Sequence, residues 1–373
     1  MIDSKEPVLL TPGPLTTSAE TKHAMLRDWG SRDPGFNAMV ARVKARLEEL
    51  AGGAGRTAVL LQGSGTYAVE AALGTLVPRE GKVLVLVNGA YGRRMVAICR
   101  AIGRAYATLE TAEDTPPAPE AVAAALAGDA AITHVAMVHC ETTSGILNPV
   151  GAVADVVARA GRRLLIDAMS TFGALPLDET IRCDAVMASS NKCLEGVPGL
   201  AFVIADKAAL AAAAGRAPSL ALDLHDQWQA MERTGQFRFT PPTHVIAALD
   251  RALDQHRAEG GVAGRGARYR RNCEILVRGM RALGFDTYLP DALQAPIIVT
   301  FHSPADPRFD FRRFYDLLAA RGYLIYPGKL TALDTFRIGC IGQIGEAEMT
   351  GVVAAVAAAL DEMGVRQRGR RAA

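Results

Sequence analysis

Short, mostly apolar runs recur through the first half of the chain, each closed by a turn and followed by a stretch with helical spacing. They cover residues 57–61, 82–87, 134–138, 164–166, 185–187 and 200–204. A strand with one wet face alternates polar and apolar residues, whereas a strand that reads apolar throughout is covered on both faces. Runs of this kind, separated by helices, predict a mainly parallel sheet with crossover helices packed on either side. The rhythm stops near Ala205.

The rest of the chain fills in around that sheet. The opening VLLTPGPLT is predicted to be extended and stiff, because two prolines around Gly13 forbid a helix. Helices are predicted from Ser18 and over 36–50, the second ended by Gly52-Gly53. Residues 108–119 are acidic and proline-rich and read as a surface loop. Residues 208–222, rich in Ala and Leu, read as helix, and 245–256 opens a longer helix after the break FRFTPPTHV. From Arg268 the pattern becomes a smaller α+β set, with strands at 297–301, 323–326 and 335–339 and helices at 311–321 and 345–363. A chain of 373 residues exceeds what one core serves, so two domains are expected.

Charge and cysteine usage remove several classes of function. A formal net charge of +2 leaves no footprint for nucleic acid or an anionic membrane. The six cysteines are scattered, with no CxxC pair and no metal-ligand spacing, so neither a disulfide framework nor a metal is expected. The N-terminus lacks a basic segment followed by an apolar one, and the longest apolar stretches fall short of the ~20 residues that cross a bilayer. The expectation is a soluble, cytoplasmic protein, with the basic tail RQRGRRAA as a solvated terminus.

The chemistry concentrates between Arg163 and Gly199. Leu164-Leu165-Ile166 is closed by Asp167, and the run at 185–187 by Ser189-Ser190-Asn191-Lys192. In open α/β sheets ligands sit just past the carboxyl ends of the strands, which places a carboxylate and an amine at one rim. Such a pair suits pyridoxal phosphate: the amine forms a Schiff base with the aldehyde, and the carboxylate pairs with the pyridine nitrogen. Either residue alone is more often a cap or a solvated charge. Their neighbours add weight. Gly63-Ser64-Gly65-Thr66 lies between a strand and a helix and can hold a phosphate, although it matches neither the Walker motif nor GxGxxG. Tyr91 can lie flat on a planar ring or simply fill core, and Glu141-Thr142-Thr143 offers hydroxyls or an ordinary turn. Arg337, between Phe336 and Ile338, grips an anion if it faces a cleft and otherwise makes a surface ion pair. Gly13 can add backbone contacts. Cys193 is set aside as a nucleophile, since adjacent side chains diverge and no His stands near it. A non-catalytic module holding a nucleotide phosphate on GSGT is the remote alternative, and the missing Walker lysine argues against it.

The segments LLTPGPLTT, LLQGSGTYAVEA, VNGAYGRRM, HCETTSGILNP, IDAMSTFG, SSNKCLEGVPG, FRFTPPTH, YPGK and FRIGCIG together resemble the 2-aminoethylphosphonate–pyruvate transaminases, from Val8 to about Leu360. The resemblance implies a fold-type I pyridoxal-phosphate (PLP) fold: a large domain at 15–250 with a mainly parallel seven-stranded sheet, and a small one from 1–14 and 251–373. It implies that Lys192 carries the cofactor and Asp167 pairs with its ring nitrogen. Ser64, Gly65 and Thr66 would hold the phosphate, with Thr240 from the other subunit of a homodimer. Tyr91 would take the stacking position, Thr142 would bond the ring hydroxyl, and Asn191 would lie alongside. Arg337, with Gly13, would bind the substrate. The implied reaction moves the amino group of 2-aminoethylphosphonate to pyruvate, and the neighbouring alternative is an alanine- or serine-type aminotransferase using glyoxylate or pyruvate.

Overall fold

The computed structural model describes residues 6–53, 55–177, 180–330 and 333–366. Residues 1–5 and the basic tail from 367 onward lie outside the described residues. In chain order the strands are β1 (Val8–Leu9), β2 (Arg56–Gln62), β3 (Lys82–Val87), β4 (Ala105–Glu110), β5 (Ile132–Val138), β6 (Cys140–Glu141) and β7 (Ile146–Leu147). They continue with β8 (Arg163–Asp167), β9 (Ala185–Ser189), β10 (Leu200–Asp206), β11 (Ile298–His302), β12 (Tyr323–Leu324), β13 (Tyr326–Pro327) and β14 (Thr335–Gly339).

The helices are α1 (Ala19–His23), α2 (Pro34–Leu50), α3 (Gly65–Leu76), α4 (Ala90–Ala101), α5 (Pro119–Gly128) and α6 (Val150–Arg159). After them come α7 (Lys207–Ala211), α8 (Leu224–Thr234), α9 (Thr243–Ala258), α10 (Gly261–Ala282), α11 (Phe311–Ala320) and α12 (Glu346–Met363). Their starts are written locally. Asp33 caps α2 by accepting from the N–H groups of Gly35 and Phe36, with Pro34 at the first helical position. Ser18, Asp206 and Asp223 cap α1, α7 and α8 in the same way.

Seven strands form the main sheet in the order β2-β10-β9-β8-β5-β3-β4. All neighbours run parallel except at β10, which is antiparallel to both β2 and β9. Apolar runs made these strands legible but not their direction, because a strand buried on both faces reads the same either way. Neighbouring residues of β3 face opposite ways: Leu84 and Leu86 join the core under α2, α5, α6 and α9, while Val83, Val85 and Val87 join the one under α3 and α4. Burial of such side chains stabilises the sheet by about 1.5–3 kcal/mol each.

A three-stranded antiparallel sheet, β11-β14-β13, carries a separate core with α10, α11 and α12. The N-terminal strand β1 pairs with β12, and the Gly339 N–H donates to the Leu10 carbonyl at 2.8 Å. The two ends of the chain therefore meet before the N-terminal segment crosses to the main sheet.

Two local expectations need correction. Residues 208–222 are not one helix: α7 stops at Ala211, Gly215 takes φ +70°, and helix resumes only at Leu224. Alanine content favours helix, but a left-handed glycine and Pro218 interrupt it. Residues 108–110 belong to the edge strand β4, whose half-exposed side chains hide the apolar signature of a buried strand. Among the described residues no helix is long and apolar enough to cross a membrane.

Candidate active site

Register brings the carboxyl ends of the central strands level. Val138 pairs with Asp167, and Asp167 with Met187. The order of connections reverses between β3 and β5, since β4 lies on one side of β3 while β5, β8 and β9 lie on the other. A crevice at such a switch point is where open α/β sheets bind ligands.

Lys192 stands just past β9. Its amine donates to the Pro12 carbonyl at 2.6 Å and lies 3.4 Å from that of Gly13. Gly13 has φ +118°, and a Cβ there would fall 2.6 Å from Lys192 Nζ, so only glycine lets the N-terminal segment lie against the lysine. Burial pulls the Lys192 amine down to about 8. Cys193 and Asp167 favour its charged form, while Arg94 and Lys329 add to the downward push.

The loop that carries Lys192 is braced from behind. Glu195, at φ +58° and almost fully buried, accepts from Arg268 at 2.8 Å and from the Tyr269 hydroxyl at 2.6 Å. Arg265, buried beside it, donates to the Cys193 carbonyl at 2.5 Å and to Glu259 at 2.6 Å.

Asp167 ends β8 and accepts the Met169 N–H at 2.9 Å. Burial raises its carboxyl to about 6; Glu141 adds to the rise, and the Met169 N–H, Arg94 and Lys192 oppose it. Met169 in turn fills the space a side chain would need at Gly65, where a Cβ would lie 2.2 Å from its sulfur. The β8 rim and the N-terminus of α3 therefore touch. Ser64 precedes α3 without capping it through its side chain, so its hydroxyl and the first N–H groups form the positive end of a 12-residue helix.

Across the switch point, Glu141 is fully buried. It accepts from the N–H groups of Tyr91 at 3.0 Å, Gly92 at 3.3 Å and Thr143 at 3.1 Å, and from the Thr143 hydroxyl at 2.5 Å. Burial pushes its carboxyl up against those hydrogen bonds. It thereby pins the start of α4, and with it the Tyr91 ring, to the end of β5. Two cations lie over that ring: the Arg94 guanidinium at 4.9 Å and the Lys329 ammonium at 4.4 Å from its centre. Arg94 also donates to the Thr66 hydroxyl at 3.3 Å.

Arg337 reaches the same crevice from β14 and is 4 % exposed. It donates to the Pro327 carbonyl at 3.0 Å and to that of Thr142 at 2.7 Å. Burial lowers its pKa, while Tyr91, Tyr326 and Glu141 oppose the shift. No carboxylate pairs with it among the described residues, so the surface ion pair is not what holds it. An arginine keeps its charge even here, and a buried guanidinium without a counter-ion awaits an anion.

The structure thus brings Gly13, Lys192, Asp167, Tyr91, Thr142 and Arg337 to one crevice, with Gly65 and Thr66 at its side and Asn191 half-buried next to Lys192. Thr142 contributes its carbonyl to Arg337. Thr240 stands apart: it is exposed just before α9, with no hydrogen bond to the 64–66 loop among the described residues. Sequence reading named Glu141 only as the start of a hydroxyl-bearing turn, and gave Arg94 and the lysine of YPGK no part in the site. The three-residue spacing of Tyr91 and Arg94 on one helix was the available signal for the second of them; no local pattern marks Glu141.

Comparison with known proteins places this geometry. The family model for class-V aminotransferases matches residues 19–332. The chain is 58% identical over 370 residues to 2-aminoethylphosphonate–pyruvate transaminase 2 of Burkholderia lata, spanning 99% of this chain and 98% of that protein. It is 57% identical to 2-aminoethylphosphonate–pyruvate transaminase of Pseudomonas entomophila over 97% of this chain and 99% of the relative. Among solved structures, pyridoxamine–pyruvate aminotransferase from Mesorhizobium loti superimposes with a TM-score of 0.89 at 25% identity, covering 98% of this chain and 95% of that one. The chain belongs to the class-V aminotransferase family, and its fold is that of the fold-type I aminotransferases.

Proposed function

We propose that this aminotransferase moves the amino group of 2-aminoethylphosphonate to pyruvate, giving phosphonoacetaldehyde and L-alanine in a ping-pong cycle, with pyridoxal 5′-phosphate as cofactor. The observation that carries the reading is the buried amine of Lys192 and the buried carboxylate of Asp167 at one sheet rim, beside the N-terminus of α3. Identity of 58% over almost the whole chain to a relative of that name supports the choice of substrates.

The residues fit the cofactor. Ser64 makes no side-chain cap bond to α3, so its hydroxyl and the first N–H groups of that helix stay open beside the β8 rim, and a helix N-terminus favours a phosphate. Ser64, Gly65 and Thr66 would hold that phosphate, Asp167 would pair with the ring nitrogen, and Lys192 would carry the aldehyde carbon. Tyr91 would lie against the ring, Thr142 would bond its hydroxyl, and Asn191 would flank it. When bound, pyridoxal phosphate supplies an aldehyde that takes up the amino group and a cationic ring that accepts electrons. In a homodimer Thr240 of the partner subunit would complete the phosphate site, a role open to it because it is exposed on its own protomer. We assign residues 15–250 to a large domain, and 1–14 with 251–373 to a small one. The pairing of β1 with β12 supports grouping the two chain ends.

The chain's own residues supply the rest. Arg337, with Gly13, would take the anionic end of either substrate, and its multiple donors suit a phosphonate or a carboxylate. With its amine near 8, Lys192 is a free base part of the time at neutral pH. It takes the proton from the carbon that bears the amino group, and returns one when pyruvate is the acceptor. Asp167, near 6, is ionised at that pH and so can hold a ring proton in place.

The test is incubation of the cofactor-loaded protein with 2-aminoethylphosphonate and pyruvate, assayed for alanine and phosphonoacetaldehyde. Both products are expected, and Lys192→Ala should form neither. Alanine from serine but not from 2-aminoethylphosphonate would overturn the substrate assignment.

A further inference from the structure

We infer that Lys329 is the second cation of the substrate's anionic subsite and, with Arg337, favours a doubly charged phosphonate over a carboxylate; the inference rests on the reaction proposed above.

Charge is the first reason. A phosphonate has two ionisable hydroxyls, as a phosphate monoester has, and carries up to two negative charges, whereas a carboxylate carries one. Arg337 brings one positive charge and has already committed Nε and Nη1 to the Pro327 and Thr142 carbonyls. A dianion held by that group alone would leave one charge buried and uncompensated, which is costly in a desolvated crevice.

Geometry supplies the partner. Tyr326 on β13 pairs directly with Arg337 on β14. Gly328 then presses against β14, its N–H donating to the Thr335 carbonyl at 2.9 Å, in a place where a Cβ would lie 2.2 Å from the Thr335 hydroxyl oxygen. The next residue is Lys329. Its ammonium crosses from the small sheet to the main one and lies 4.4 Å from the centre of the Tyr91 ring. Tyr91 is also within electrostatic reach of Arg337. Among the described residues Lys329 has no hydrogen-bond acceptor and no carboxylate partner, so its contact with Tyr91 leaves three N–H donors uncommitted. A point charge on a flexible stem can follow the third oxygen of a tetrahedral anion, which the arginine fork does not need for a planar one.

The alternative is that Lys329 merely steadies the Tyr91 ring. A structural role of that kind would affect phosphonate and carboxylate alike. The test therefore compares the two anions on the cofactor-loaded parent, Lys329→Met and Lys329→Arg. Binding of methylphosphonate and of acetate is measured by calorimetry above the second pKa of the phosphonate, where it is a dianion, beside KM for 2-aminoethylphosphonate and for pyruvate. Loss of one charge-assisted contact should weaken methylphosphonate binding and raise KM for 2-aminoethylphosphonate by about 10–100-fold. Acetate binding and KM for pyruvate should move by no more than about threefold, within the spread of surface-charge effects, and Lys329→Arg should recover part of the loss. Equal losses for both anions, or none for either, would overturn the inference. Failure of the parent to make alanine from 2-aminoethylphosphonate would instead overturn the proposed reaction, and the methylphosphonate-to-acetate comparison would still judge Lys329.

Discussion

The amine of Lys192 donates a 2.6 Å hydrogen bond to the carbonyl of Pro12, 180 residues earlier in the chain. The N-terminal segment that makes this contact is itself tied to the small sheet through β1 and Leu10. The position of the amine therefore depends on both sheets and not only on the strand that precedes it.

Gly13→Ala tests that dependence. A Cβ at φ +118° is strained, and it would sit 2.6 Å from Lys192 Nζ and 2.7 Å from its Cδ. We expect the variant to fold but to turn over at least about 100-fold more slowly, as a displacement of about 1 Å at a reacting group can cause. Steady-state kinetics together with a circular dichroism spectrum check this; unchanged turnover would mean that the N-terminal segment does not position the lysine.

Asp167→Asn should separate stability from activity. Between pH 3.8 and about 6 folded Asp167 keeps a proton that the unfolded chain has released, so its contribution to stability falls as pH rises through that window. Asparagine does not titrate and still accepts the Met169 N–H. The cofactor-free variant should thus be more stable than the parent above pH 6. The expected gain is roughly 1–3 kcal/mol, since each tenfold change in proton affinity is worth about 1.4 kcal/mol, less what the pairing with Lys192 contributes. The gap should close near pH 4 while activity is lost at every pH. Thermal unfolding of the cofactor-free proteins across pH 4–8 reads it out.

Lys192 runs the opposite way. Its folded amine gives up its proton near 8, while the unfolded chain keeps it to 10.5, so stability rises with pH between those values. Lys192→Met should flatten that rise in denaturant titrations of the cofactor-free protein between pH 8 and 10.

Arg337→Ala should raise KM for both substrates by about 10–100-fold, the loss of a charge-assisted contact worth 1.5–3 kcal/mol. Arg337→Lys should recover little, because an ammonium cannot reach the Pro327 and Thr142 carbonyls in the same plane and still face a ligand. Equal KM values in parent and variant would remove the residue from the substrate site.

Glu195→Ala should destabilise the fold by about 2–4 kcal/mol, near the lower part of the range for breaking a buried ion pair. Arg265 and Arg268 both lose one carboxylate but keep Glu259 at 2.6 and 2.7 Å. Urea unfolding measures the loss. Because the Glu195 carboxylate, through Arg268 and Tyr269, anchors the loop that carries Lys192, activity should fall as well.

Much of the architecture was written locally. Apolar runs ended by polar residues marked six strands of the main sheet, and the strand-end positions of Asp167 and Lys192 followed from them, since solvation and turn preference act over a few residues. The edge strand β4 and the helix α8 escaped for a local reason too. One is half-exposed, and the other starts at Leu224, beyond a stretch whose alanines suggested helix instead.

What the chain could not state on its own is who meets whom. The reversal of β10, the burial of Glu141 against Tyr91, the approach of Gly13 and Lys329 to Lys192, and that of Arg337 to Thr142 all join residues far apart in sequence. Register and packing choose those partners, and only once they are chosen does exclusion of water shift Lys192 down and Asp167 up. Strand-end chemistry was the sequence's own contribution; the enclosure that gives a lysine and an aspartate altered basicities came from the assembled sheets.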